Sequence, residues 1–239
     1  MWIHILLLQE RGTRRRYSHE TTGHYFETMT VAIPLKTPVS ISISGTTGSG
    51  KTTWIYRFLK NKNLMLQPPP KEVLYCYGIQ DLYSEMEKNV DGINFYEGVP
   101  NLDKVKSMPP YSMVVLDDLA HNIYKNKEME LLFSQVSHHN KISVCILKNN
   151  IYYQGKHART IDLNTHVFVL LQNPRDESQI LTMGRQIFPN KPLSLLEAYK
   201  DSMDLNGYLL LDLQPHSNKK YKMRTRIFPN EDPIIFISN

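Results

Sequence analysis

The sequence predicts an α/β fold: a mostly parallel sheet with helices on both faces. Two observations carry this. Short apolar segments alternate along the chain with segments of helical periodicity, the pattern of repeated strand–helix units. A glycine-rich loop, Gly45-Thr46-Thr47-Gly48-Ser49-Gly50-Lys51-Thr52, also sits between a strand-like and a helix-like segment. It satisfies G-x-x-x-x-G-K-[ST] at every fixed position.

The chemistry of that loop explains its residue types. Glycines allow a turn tight enough for successive N–H groups to converge on phosphate oxygens. Lys51 is expected to reach the β- and γ-phosphates, and the Thr52 hydroxyl to hold a magnesium ion. Thr46, Thr47, Ser49 and Thr53 complete the candidate nucleotide-binding set. Upstream, Val39-Ser40-Ile41-Ser42-Ile43 alternates apolar and polar residues as a strand does. Downstream, Trp54, Ile55, Phe58 and Leu59 fall at helical spacing. Strand, glycine loop and helix together predict binding of ATP with Mg2+.

The chain has 239 residues, 41% of them hydrophobic, enough to build one large domain with a buried core. No apolar run approaches the roughly 20 residues needed to cross a bilayer, so no membrane partner is expected. Arginines follow the apolar start Met1 to Leu8 and no small-residue cleavage site appears, which is wrong for a secretory signal. Cys76 and Cys145 both fall in strand-like segments and read as buried thiols of a reducing, intracellular compartment. The net charge of +5 favours polyanionic partners.

Residues 1–28 lack periodicity and carry Arg11, Arg14, Arg15 and Arg16, and read as a poorly ordered basic extension. Residues 29–239 are expected to form a single domain. Pro68-Pro69-Pro70 marks a loop, Glu72 to Tyr77 a buried strand, Asp81 to Lys88 a short helix, and Ile93 to Tyr96 another strand. Met113-Val114-Val115-Leu116 then runs into Asp117-Asp118. A continuous apolar run is the signature of a buried parallel strand, whose carboxyl end opens into the ligand crevice. Asp117 is the candidate magnesium ligand and Asp118 the candidate for orienting water or accepting its proton. Capping of the next helix is the plainer alternative for the pair.

Lys127 to His139 is helical by pattern, and Ile142 to Leu147 is a strand ending in Lys148-Asn149-Asn150. Those polar residues would face the γ-phosphate if this strand lies beside the one before Gly45. Thr165 to Leu171 is a further strand, with helices expected over Glu177 to Gln186 and Leu193 to Met203. Tyr208 to Leu213 and Tyr221 to Phe228 read as strands. In the last, Lys220, Lys222, Arg224 and Arg226 alternate, which would put four cations on one face. That face suits phosphate contact or the protection of a sheet edge equally well.

Several segments together resemble the FtsK/HerA-type DNA-packaging ATPases of large eukaryotic DNA viruses and of Maverick/Polinton elements. They are SGTTGSGKTTW, VVLDDL, LFSQVSHHNKISV, ARTIDLN, QNPRDESQILTMGRQIFP, and GYLLLDL with RTRIF, spread from Val39 to Phe228. The resemblance is strongest to the Maverick/Polinton-like and poxvirus-type branch. It implies a RecA-like core that assembles as a homo-oligomeric ring, commonly a hexamer, and pumps double-stranded DNA into a preformed capsid through a capsid or portal component. It also implies a location in the host nucleus or a cytoplasmic virus factory, or in the virion. The family usually carries glutamine then asparagine where this chain has Lys148-Asn149. Either Asn149 takes the phosphate-sensing role, or Lys148 substitutes a charge, or turnover is weakened.

An arginine from a neighbouring subunit would complete such a site. Arg159, read as lying in a loop between two strands, ranks first, then Arg185; a structural ion pair with Asp162, Asp176 or Glu177 is the plainer alternative for each, and the better one for Arg175 beside Asp176. Two rival enzyme classes are weaker. A P-loop kinase needs an arginine-bearing lid and an acceptor pocket, and an AAA+ ATPase needs a helical lid domain that the short stretch past Asp212 cannot supply.

Overall fold

The computed structural model describes residues 3–6, 17–19, 24–26, 33–78, 83–175 and 177–237. The cluster Arg11, Arg14, Arg15 and Arg16 lies outside the described residues, as do Asp81 and Leu82 of the expected short helix. The chain divides into two compact units, residues 34–168 and residues 1–33 with 169–239.

In the first unit, strands β1 (Ser40–Ser44), β2 (Val73–Tyr77), β3 (Ile93–Glu97), β4 (Met113–Asp117) and β5 (Ser143–Lys148) pair in the order β1-β5-β4-β2-β3. All four pairings are parallel. Every residue of β1, β4 and β5 is buried, so both faces of the sheet centre are covered, as the apolar runs predict. In β1 the buried positions include Ser40, Ser42 and Ser44, small polar residues on the face opposite Ile41 and Ile43. Register sets the site: Lys148 lies beside Ser44, Ile146 beside Leu116, and Tyr77 beside Asp117. Four chain segments therefore end along one carboxyl edge.

Helix α1 (Lys51–Lys60) buries Trp54, Ile55, Phe58 and Leu59, the four positions its periodicity marks, and Trp54 stacks on Phe58 with ring centroids 5.1 Å apart. The expected helix near residue 85 is α2 (Ser84–Asn89), and α3 (Leu102–Lys106) is capped by Asn101, whose Oδ1 accepts from Lys104 N at 2.8 Å. α4 (Ala120–Ile123) follows β4. The expected helix at 127–139 is present but not uniform: α5 (Lys127–Leu131) runs into a π-helical turn over Leu132–Val136 before Ser137–His139 closes it. Leu116, Ile123, Phe133, Ile146 and Ile161 belong to one continuous core on this side.

Residues 158–163 correct the sequence reading. They form a helix, α6 (Ala158–Leu163), rather than a loop, and Arg159 is exposed on it. One turn of helix buries only Ala158 and Ile161, too little periodicity to register in a sequence. Strand β6 (Val167–Leu171) follows.

The second unit contains α7 (Glu177–Ile187) and α8 (Leu193–Asn206), both where periodicity placed them. Gly207 ends α8 at φ 76°, a conformation glycine adopts without steric cost. β7 (Tyr208–Asp212), β8 (Met223–Thr225) and β9 (Ile234–Ile237) are antiparallel neighbours, and β9 pairs with Ile3–Leu6.

The expected strand from Tyr221 to Phe228 shrinks to Met223–Thr225. Lys219–Tyr221 is a 3-10 turn, and Arg226 at φ 55° ends the extended run. The four-cation face therefore does not form. Arg224 is only 2% exposed and pairs with Asp212 at 3.3 Å, and β8 has a neighbour on each side, so it is not a sheet edge. Alternation alone cannot tell a solvated cation from a buried one with a carboxylate partner.

Candidate functional site

Strand β1 ends at Ser44 and the chain enters the glycine loop. Gly45 N donates to Lys148 O at 3.2 Å, so the loop starts pinned to the end of β5. Gly48 and Gly50 have φ of 80° and 92°, values that side-chain-bearing residues rarely adopt. Ser49 N closes a turn onto Thr46 O at 3.1 Å. Helix α1 begins at Lys51 with no side-chain cap, and Trp54 N donates to Gly50 O at 2.8 Å. The N–H groups of Lys51, Thr52 and Thr53 precede that bond and have no acceptor within the helix. A ten-residue helix thus offers its positive end at the loop.

Lys51 folds back over the loop. Its Nζ donates to Gly45 O, Thr46 O and Asn149 Oδ1, each at 2.9 Å. Burial lowers its pKa, and the carboxylates of Asp117 and Asp118 oppose that shift. The ammonium is thus held by two carbonyls and one amide within the field of both acids.

Asp117, at the end of β4, is 7% exposed. Its Oδ2 accepts from Tyr75 OH at 2.6 Å and from Thr52 Oγ1 at 3.4 Å. Burial raises its pKa, while the two hydrogen bonds pull the other way. A hydroxyl and a carboxylate facing each other are hard oxygen donors, the set that suits magnesium. The residues present fit that ion. Asp118 is exposed at φ 55°. Its carbonyl lies against Gly78, where an added Cβ would come within 3.0 Å. The two acids therefore differ in setting: Asp117 is buried and bonded, and Asp118 is exposed.

Lys148 and Asn149 separate. Asn149 is exposed and meets Lys51. The Lys148 side chain is 0% exposed, with Nζ 2.9 Å from Asp162 Oδ1 and 3.1 Å from Tyr124 OH. The contact to Lys51 from this strand end is therefore made by Asn149.

The structure thus brings together Gly45, Thr46, Gly48, Ser49, Gly50, Lys51, Thr52, Asp117 and Asn149 through the bonds and loop geometry above. Thr47 and Thr53 are exposed on the loop and the first turn of α1. Arg159 is exposed on α6 of the same unit, and Arg175 and Arg185 are exposed in the second unit. Tyr75 and Tyr124 escaped the sequence reading, and Asp162, read there only as a possible partner of an arginine, pairs with Lys148. Tyr75 sits two residues before the end of β2, and only the register of β2 on β4 shows that it can reach Asp117.

No protein-family model matches the chain, and no curated protein matches it. Solved structures are similar in part. The genome packaging NTPase B204 of Sulfolobus turreted icosahedral virus 2, in complex with ATP-gammaS, is 12% identical, with 75% of this chain and 95% of that chain covered and a TM-score of 0.49. B204, the DNA-packaging ATPase of Sulfolobus turreted icosahedral virus, is 12% identical over 77% and 96%, with a TM-score of 0.49. The Legionella pneumophila ATPase DotB is 13% identical over 87% and 70%, with a TM-score of 0.36.

Proposed function

We propose that this chain hydrolyses ATP with magnesium and uses the energy to drive double-stranded DNA into a preformed viral or virus-like capsid. The reading includes a homo-oligomeric ring, commonly six subunits, a capsid or portal partner, and an affinity to the Maverick/Polinton-like and poxvirus-type branch of FtsK/HerA packaging ATPases. One observation carries the nucleotide part: Lys51, Thr52, Asp117 and Asn149 converge at the carboxyl ends of adjacent parallel strands, beside the start of α1. The remainder rests on the spaced sequence segments.

Phosphoryl transfer asks a protein for positioning and charge stabilisation rather than covalent chemistry. The loop N–H groups and the start of α1 bind the phosphates, and Lys51 supplies a cation to the β/γ oxygens. Asn149, whose Oδ1 accepts from Lys51 Nζ, reads whether the terminal phosphate is present. Thr52 and Asp117 would hold magnesium, which supplies charge neutralisation when bound. Asp118, exposed and unconstrained by Asp117's bonds, orients the attacking water and takes its proton. Arg159, exposed on α6, is the first candidate to serve a neighbouring subunit, and Arg185 the second.

The test is magnesium-dependent ATP hydrolysis by the purified protein. Lys51→Ala is expected to lower turnover by about 10²-fold or more, the scale seen when one preorganised donor to a developing charge is lost. Asp118→Asn should lower it while nucleotide binding persists. Turnover that Lys51→Ala leaves intact would sink the reading.

A further inference from the structure

Lys148 occupies the strand position next to the phosphate-reading Asn149, yet its side chain is fully buried. A buried ammonium survives in a fold only when paired and hydrogen-bonded. Here the ammonium has two polar partners, which also bond each other. Asp162 Oδ1 lies 2.9 Å from Nζ, Tyr124 OH lies 3.1 Å from it, and the same Tyr124 hydroxyl donates to Asp162 Oδ1 at 3.1 Å. The ammonium also sits 5.5 Å from the centroid of the Tyr124 ring, which stacks on Tyr153 at 5.1 Å.

The main chain of the same residue is tied to the glycine loop. Lys148 lies in register with Ser44, and its carbonyl accepts from Gly45 N, the first residue of the phosphate loop. Lys148 is the last residue of β5, and the next residue, Asn149, accepts from Lys51 Nζ through its Oδ1 at 2.9 Å, so the two contacts flank a single peptide bond. Asp162 belongs to α6, the helix that also carries the exposed Arg159.

We infer that Lys148 is a positioning residue: its buried pairing with Asp162 and Tyr124 sets the end of β5 so that Asn149 engages Lys51, tying triphosphate reading to α6. This rests on the reading of the site as one that cleaves a triphosphate.

The experiment compares wild type, Lys148→Met, Asn149→Ala and the double variant in steady-state ATP hydrolysis, and in binding of ATP-gammaS and ADP. Lys148→Met should lower kcat about tenfold or more, weaken ATP-gammaS, and leave ADP affinity within about twofold. The double variant should be no slower than Asn149→Ala, because residues acting through one contact are not additive. Lys148→Arg, which keeps the charge, should recover most of the loss. Losses that multiply in the double variant overturn the inference, as does Lys148→Met turning over like wild type. Equal weakening of ADP and ATP-gammaS would mark a merely structural role and overturn it too. If Lys148→Met does not fold, Tyr124→Phe, which removes one hydroxyl and keeps the ion pair, decides by the same comparison. A wild type that neither hydrolyses ATP nor loses nucleotide binding on Lys51→Ala overturns the underlying site reading. A wild type that does both, beside an unaffected Lys148→Met, overturns the positioning role alone.

Discussion

A buried carboxylate is tolerated only where donors replace the water it loses, and Asp117 has two, the hydroxyls of Tyr75 and Thr52. The Tyr75 bond is the shorter, at 2.6 Å, and it opposes the upward pKa shift that burial imposes on Asp117. Tyr75→Phe keeps the ring against Tyr83 and Phe95, at centroid distances of 5.2 and 5.6 Å, and removes only the hydroxyl. The expected cost is about 1.5–3 kcal/mol, the worth of a hydrogen bond to a charged group, with slower ATP turnover alongside. Denaturant unfolding of the two proteins measures it. An unchanged midpoint and slope would mean that Asp117 does not depend on this donor.

At the scale of elements, the segment after β5 makes a close approach to Tyr124. An added Cβ at Gly155 would lie 2.6 Å from Tyr124 O and 2.8 Å from Tyr124 Cβ, and His157 N donates to that same carbonyl at 3.2 Å. Gly155→Ala must therefore push backbone aside, with an expected cost of about 1–3 kcal/mol. Because Tyr124 also bonds Lys148, ATP turnover should fall with stability. A thermal melt equal to wild type would show that this loop yields freely. The elements also mark how far periodicity reaches. Helix α1 and strands β1, β4 and β5 were legible because each repeats its burial pattern over several residues. α6 was not, since two buried positions make no period, and the π-helical turn at Leu132–Val136 left no trace because its residues suit an ordinary helix equally well.

For the whole molecule, the packaging function proposed above and a net charge of +5 lead to the prediction that any DNA contact is made through phosphates. Duplex DNA should stimulate ATP hydrolysis at low salt. Its affinity should fall by orders of magnitude between about 50 and 200 mM salt if several phosphates are engaged. ATPase activity indifferent to any duplex, at low salt and on assembled protein, would contradict the translocase. The cations to map are exposed ones. Arg224 is not among them, since burial lowers its pKa against the raising effect of Asp212 and the pair is spent inside the second unit.

The fold class, the glycine loop and the paired acids were set by the sequence itself, because each is a local pattern: glycines at fixed spacing, apolar runs of strand length, a carboxylate where a run ends. What decided the rest was register and side-chain direction, which join residues far apart in the chain. Tyr75 meets Asp117, Asn149 meets Lys51 and Lys148 meets Asp162 because parallel strands align their ends and bring residues distant in the chain together there. The same rule separates Arg224, buried against Asp212, from the solvated stripe its alternation suggested: a residue's charge is written in the sequence, but its partner is chosen by packing.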